Sequence, residues 1–217
     1  MTQQIPTYKV FNRTFLSSVR WLFGYSAKGE HFVDAFKEQM LSVGYEAGES
    51  DGKAVIMKKS GIGVLANNNL IFINCSPETY KGFDNLKLEL KAILGVLDSL
   101  GIHELNSITC SKENLYKVEK ALLKKSITEQ IFTSILFKGD LLNKSMIAET
   151  RDGVNCLTTR SYSETLNEVK MQLLVTVLCM SKIPLSAVYE QMTMMDRLSF
   201  EVWSSYVSDA IIKIMES

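Results

Sequence analysis

Only two histidines stand in this 217-residue chain, His31 and His103, and each has a glutamate beside it, Glu30 and Glu104. Imidazole and carboxylate are metal-ligand chemistry, and two such pairs brought together would supply a zinc-type ligand set. Neighbouring residues on a helix point to different faces, however, and no third ligand stands at helical or hairpin spacing. Solvated surface histidines are expected, and no metal. Gly61-Ile62-Gly63 is the one glycine pair with the look of a phosphate loop, but it leads into a strand and has no Lys-Ser/Thr behind it, so it reads as a hairpin feature. No serine sits in a Gly-x-Ser-x-Gly elbow, and two histidines leave a nucleophile little choice of base. Cys75, Cys110, Cys156 and Cys179 are widely spaced and lie in apolar stretches, which reads as buried, reduced thiols. No catalytic residue and no cofactor is expected.

A second kind of chemistry is phosphate contact. Lys117, Lys120 and Lys124, joined by Lys125, Lys58, Lys59, Arg20 and Arg160, would form a basic groove, with Tyr116 and Trp21 as stacking surfaces. Against this, Lys117, Lys120 and Lys124 alternate with Glu113 and Glu119, and the chain carries 24 basic and 24 acidic residues. A phosphate-tracking surface shows as net positive charge, so nucleic acid is not an expected partner. Met1 to Lys9 has no apolar core of signal-peptide length, and the longest greasy run, Met171 to Met180, falls short of the about 20 residues a membrane span needs. A soluble cytoplasmic protein without a membrane partner is expected.

The elements that must position these residues come next. Alternation from Val10 to Phe23 predicts a strand, with Val19, Trp21 and Phe23 on one face and Arg20 and Leu22 on the other. Phe32, Phe36, Met40 and Val43 recur at helical spacing before Gly44, which predicts a helix from Glu30 to Val43. Three short strands follow, Ala54 to Lys58, Gly61 to Ala66 and Leu70 to Cys75, punctuated by Asp51-Gly52, Ser60-Gly61 and Asn67-Asn68-Asn69. The clearest helix is Asp84 to Leu100, with Leu86, Leu90, Ile93, Leu94 and Leu97 on one stripe and Gly101 as its stop.

After Gly101 the order restarts with a strand from Glu104 to Cys110. A helix capped by Ser111 is predicted to follow, turning Leu115, Val118 and Leu122 inward and the lysines outward. Strands fit Gln130 to Phe137, Ser145 to Thr150, Val154 to Arg160 and Glu168 to Met180, with Asp152-Gly153 as a tight turn. The closing helix, from about Ser186, is expected to break or bend near Asp196 and to set Phe200, Trp203, Val207, Ala210 and Ile214 on one stripe. Residues 1–101 and 102–217 thus read as two β-α-β-β-β-α halves of one compact unit, the second with an additional strand. The fold class is α+β: a mostly antiparallel sheet backed by long helices, similar to a TATA-binding-protein-like or helix-grip arrangement.

Two stretches carry a family resemblance. Leu70-Ile71-Phe72-Ile73-Asn74 followed by Tyr80-Lys81-Gly82-Phe83, and Met195-Asp196-Arg197-Leu198 leading to Val202 and Tyr206, resemble a sporadically distributed prokaryotic family of α+β proteins whose members have no assigned function. Leu198-Ser199 departs from that family's frequent Leu-His. The resemblance implies an order of elements and brings no functional residues with it.

Several strands are apolar on both faces. In Leu70 to Cys75, Leu70 and Phe72 oppose Ile71, Ile73 and Cys75; in Ile131 to Phe137, Phe132 and Leu136 oppose Ile131 and Ile135. Helices on one side bury one face only, and large apolar patches are rarely left in water. The expected function is a non-enzymatic scaffold that self-associates as a homo-oligomer or binds a protein partner, with Trp21, Phe72 and Phe132 as anchors. The alternatives are a module that binds a small apolar ligand between sheet and helix and, ranked below it, a nucleic-acid-binding protein using Lys117, Lys120 and Lys124.

Overall fold

Tight turns set the framework. Ser60 and Gly61 have φ of 47° and 80°, and Asp152 and Gly153 have 49° and 76°. Two successive positive φ values make a type I′ turn, whose twist matches paired antiparallel strands. Lys59 accordingly meets Ile62, and Arg151 meets Val154. Side chains define two more reversals: the Asp51 carboxylate accepts from the Lys53 and Ala54 amides, and Asn67 Oδ1 accepts from those of Asn69 and Leu70.

The structure is a computed structural model that describes residues 16–27, 31–80, 83–119, 144–164 and 168–207. Its elements there are β1 (Leu16–Gly24), α1 (Phe32–Ser42), β2 (Glu46–Ser50), β3 (Ala54–Lys59), β4 (Ile62–Asn67), β5 (Leu70–Cys75), α2 (Phe83–Ser99), β6 (Glu104–Leu105), β7 (Ser107–Glu119), β8 (Lys144–Arg151), β9 (Val154–Glu164), β10 (Glu168–Cys179), β11 (Ile183–Pro184) and, after a 3-10 turn, α3 (Val188–Tyr206). The protein is α+β, with a large antiparallel sheet and helices, as the sequence predicts. None of the described helices is long and apolar enough to cross a membrane.

The chain divides into two compact units, each built from separate stretches. The first comprises Ser18–Cys110 and Leu178–Asp196; the second comprises Met1–Ser17, Ser111–Val177 and Arg197–Ser217. These units cut across the halves 1–101 and 102–217, since Leu178–Asp196 joins the first.

In the first unit the strand order is β2-β3-β4-β5-β1, with β7 beside β1. The registered pairs are antiparallel and stack residues into rows across four strands. Trp21, Ile73, Val64 and Met57 form one row, and Phe23, Ile71, Ala66 and Val55 the next. All eight are wholly buried. The helices cover this face: the Trp21 ring lies 5.9 Å from Phe83 at the start of α2, and Tyr25 lies 5.5 Å from Phe32 at the start of α1. Phe36, Met40, Leu90, Ile93 and Leu97 complete the layer, all without solvent exposure. Gly44 and Gly101, at φ +87° and +80°, end the two helices as the sequence predicts.

In the second unit β9 stands between β8 and β10, and β10 is followed by β7. Arg197 reaches Asp152 at 3.3 Å, and the Tyr206 hydroxyl donates to Glu149 at 3.3 Å, so residues 197–206 of α3 are tied to the β8–β9 hairpin. The helix buries Leu198, Phe200, Val202 and Trp203, with Phe200 and Trp203 in ring contact at 5.4 Å.

Three expectations need correction. The helix predicted from Ser111 is strand as far as Glu119, because Ile108, Cys110, Lys112 and Asn114 alternate into the interior with a period of two. Ser111 caps nothing, and its hydroxyl bonds Thr176 on β10 at 3.0 Å. This removes the helix on which the repeat of the first half's order rested. The break expected near Asp196 is absent, since α3 is one continuous helix from Val188 to Tyr206. An additional strand, β2, precedes the predicted meander; all five of its residues are exposed, so it carries no apolar pattern to betray it. The predicted strand Gln130–Phe137 lies outside the described residues.

Candidate functional site

The first unit's sheet has a second face. Leu22 pairs with Phe72, Phe72 with Leu65, and Leu65 with Ile56, which makes an apolar row four strands wide pointing away from α1 and α2. Each of the four is half-buried rather than buried. Leu70 and Ala54 extend the patch along their strands, also half-buried. Its borders are polar. Arg20, Asn74, Gly63 and Lys58 form the neighbouring row on one side, with Lys58 exposed and opposite Glu46 of β2. On β7, Ser107 and Thr109 are half-buried while Ile108 and Cys110 between them are buried. The Ser107 hydroxyl packs so near Gly24 that a Cβ built there would stand 2.4 Å from it. β2 presents Ala47, Gly48 and Glu49, all exposed.

The sequence-predicted anchors separate on this geometry. Phe72 lies at the centre of the open row. Trp21 does not: it faces the helices with no exposure, so it is a core residue and contacts no partner. Its parity with Val19 and Phe23 was visible in the sequence, but which parity the helices cover was not. Phe132 lies outside the described residues. Of the nucleic-acid candidates, Lys117 falls on strand β7 rather than on a lysine-faced helix, and Lys120 and Lys124 lie outside the described residues.

A second group is polar and buried. The Tyr80 hydroxyl donates to Asp196 Oδ1, and each residue is 6% exposed. Burial pushes the Tyr80 phenol well above its usual range, and the Asp196 charge and the Cys110 and Cys75 thiols add to the shift. Tyr80 ends the short loop after β5, whose other contacts tie it to the β3–β4 turn. There Ser76 donates its amide to Gly61 O at 3.1 Å, and the Ser76 and Thr79 hydroxyls bond at 2.9 Å. In the second unit Lys112, Asn114, Thr158 and Ser199 are buried without exposure. A lysine in that position is rare, because an ammonium gives up its water only where partners replace it.

A third cluster is half-buried at one rim. Lys59 Nζ donates to Val43 O at 3.2 Å, pairs with Glu89 at 3.1 Å and lies 5.3 Å over the Tyr45 ring. Tyr45 in turn donates to Glu89 at 3.1 Å, and burial first, then Glu89, raises its phenol. These contacts cap the C-terminus of α1 with a cation and leave Lys59 no free charge for a ligand. A hollow of about 500 Å³ opens beside it, lined by Gly44, Glu46, Lys58 and residues 59–63. A shallow groove of about 460 Å³ runs between α1 and α2 over Gln39, Ala92 and Gly95.

The two histidines stay apart from any ligand set. His31 precedes α1 and is exposed, while His103 bonds Asp98 at 2.8 Å on the surface and Glu104 pairs with Lys182 at 2.6 Å. Among the described residues, no three His, Cys, Asp or Glu side chains converge as a metal site. All four cysteines are free and buried, and burial raises the Cys75 thiol to about 12. The buried Tyr80–Asp196 pair went unmarked in the sequence, since a lone tyrosine and a lone aspartate 116 positions apart carry no spacing signal.

No protein-family model matches the sequence, and no curated protein does either. Among solved structures, the ligand-free regulatory subunit of aspartate kinase from Thermus thermophilus is similar at 8% identity and a TM-score of 0.25, covering 85% of this chain and 93% of its own. A putative adenylate cyclase from Bacillus halodurans aligns at 10% identity and a TM-score of 0.16, over 94% of this chain and 84% of its own.

Proposed function

We propose that this protein is a non-enzymatic scaffold that associates, with a protein partner or with a second copy of itself, through the open face of the first unit's sheet. The observation that carries the reading is the Leu22–Phe72–Leu65–Ile56 row, apolar across four strands and half-buried while the opposite face is sealed by helices. Partial exposure of a contiguous aliphatic and aromatic row costs about 25 cal/mol for each Å² left in water, which a partner recovers on docking. The rim has the composition of an interface edge, with Arg20, Asn74 and Lys58 outside an apolar centre. Four free, buried thiols suit a reducing cytoplasmic setting.

The apolar-ligand alternative finds less support. The space between sheet and helices in the first unit is occupied by Trp21, Phe36, Met40, Met57 and Ile73, all without exposure. The hollows at residues 59–63 and between α1 and α2 are surface features rather than apolar interiors.

The test is Phe72→Glu and Leu65→Glu in the full chain. Each should abolish fluorescence of an apolar-surface dye and any concentration-dependent rise in sedimentation coefficient, with the secondary structure unchanged. A wild-type protein that stays monomeric at micromolar concentration and binds no dye would overturn the proposal.

A further inference from the structure

Independently of any partner on the apolar row, we propose that the hollow at the β3–β4 turn binds a small zwitterion, a molecule with a carboxylate and an ammonium a few atoms apart. The hollow holds about 500 Å³, inside the roughly 300–1,000 Å³ of ligand sites. Lys58 on β3 and Glu46 on β2 both line it, both are exposed, and they stand directly opposite each other in the strand pairing. Side chains so placed have Cβ atoms about 4.5–5.5 Å apart, and opposite charges there ordinarily attract each other. Yet among the described residues neither side chain makes an ion pair or a hydrogen bond. Lys59, one residue on, is the contrast, since its ammonium is taken up by Glu89 at 3.1 Å, by Val43 O at 3.2 Å and by the Tyr45 ring.

A glycine leaves the space beside Lys58 open. Gly63 stands between Lys58 and Asn74 in the same row of the sheet. A Cβ built on it would meet only the Asn74 carbonyl oxygen, at 4.0 Å, so a side chain would fit there and none is present. Across Gly63, the exposed Asn74 offers an amide that can donate to a carboxylate and has no side-chain partner among the described residues.

Charge then selects the ligand. A phosphate or dicarboxylate that meets Lys58 is repelled by Glu46, and a simple cation that meets Glu46 is repelled by Lys58. A metal ion would find one carboxylate in the lining where about four donors are needed. A zwitterion satisfies both groups at once, with its carboxylate on Lys58 and Asn74 and its ammonium on Glu46. Lys58 and Glu46 are one strand spacing apart, about 4.8 Å, so the two charges of the ligand must also be close.

Titration of the isotope-labelled full chain with L-alanine, β-alanine and γ-aminobutyrate, followed by amide shifts in two-dimensional NMR, tests this. At least one should move the Gly61 and Gly63 amides saturably in the millimolar range, and the tightest of the three reports the charge separation that the site reads. N-acetylalanine and alanine methyl ester each lack one charge and should bind more weakly than L-alanine. Lys58→Gln and Glu46→Gln should each weaken binding about two- to fivefold, since both groups are exposed and screened. Gly63→Val should abolish it with the fold kept, because valine suits a strand and no backbone stands in its way. Absence of saturable shifts with all three zwitterions would overturn the proposal. Inorganic phosphate or N-acetylalanine binding as tightly as the best zwitterion would make this an anion site instead. Binding that is indifferent to Gly63→Val, or to both charge substitutions, would place the ligand elsewhere and overturn it as well.

Discussion

The buried Tyr80–Asp196 bond permits a quantitative test by a double-mutant cycle. Tyr80→Phe removes one hydroxyl and keeps the ring, so packing is conserved and the loss is the hydrogen bond to a charged acceptor, about 1.5–3 kcal/mol. Asp196→Asn retains an acceptor oxygen and removes the charge; its cost should be smaller, about 1 kcal/mol, because the amide still accepts from the phenol. Asp196→Ala loses acceptor and volume together, so it should cost more than Asp196→Asn. If the two groups act on each other, Tyr80→Phe combined with Asp196→Ala should cost about 1.5–3 kcal/mol less than the sum of the single changes. In a chain of this length each kcal/mol shifts Tm by about 2–4 °C, so Tyr80→Phe alone should lower it by about 3–12 °C. Urea unfolding followed by circular dichroism is the assay, with midpoints compared at constant slope. Strict additivity of the two substitutions, within about 0.5 kcal/mol, would refute the reasoning, since it would mean the bond contributes nothing beyond the separate environments of its partners.

Other consequences are measurable. Burial raises the phenols of Tyr25, Tyr45 and Tyr80 above the usual 10, so unfolded chains ionise first as pH rises. Their stabilising contribution is complete below pH 10 and is lost above it, and Tyr45→Phe should flatten the fall in urea midpoint between pH 9 and 11. The Cys75 thiol, at about 12, and the other buried cysteines should be nearly inert to a thiol reagent at pH 8 in the folded protein and react fully in denaturant; fast native reaction would contradict their burial. Gly61→Ala and Gly153→Ala share positive φ, but only Gly61 has a neighbour in the way, Thr79 Oγ1 at 2.1 Å from the added Cβ. Gly153→Ala should cost about 1 kcal/mol and Gly61→Ala distinctly more, with Thr79→Ser giving no relief because it retains the oxygen.

Sequence legibility followed the chemistry of each segment. Turns were readable because Ser60-Gly61 and Asp152-Gly153 are chemical requirements of a type I′ geometry, and the ends of α1 and α2 because glycine alone takes φ near +80° cheaply. β7 was misread because its inward positions pass from Ile108 and Cys110 to Lys112 and Asn114. A period-two pattern that turns polar looks like its end, and Leu115 with Val118 then offered a helical spacing instead. Leu70 to Cys75 showed in advance that both faces were apolar. Which face the helices would take, and hence that Phe72 and not Trp21 would remain open, depends on the packing of Phe83 against Trp21, a long-range contact that no local pattern encodes.

The strand order β2-β3-β4-β5-β1 has a kinetic consequence. β1 is the first described strand of the chain, yet its partner β5 is the last of the meander, so Val19 waits for Cys75 and Gly24 for Leu70, separations of roughly fifty residues. The hairpins of β2 to β5 close locally within microseconds, whereas seating β1 must first close a loop that contains α1 and the whole meander. During synthesis β1 therefore leaves the ribosome with Val19, Trp21 and Phe23 uncovered and no strand to join. The docking of this one strand is the expected slow step, and the interval before it is when the chain is most exposed to misassociation.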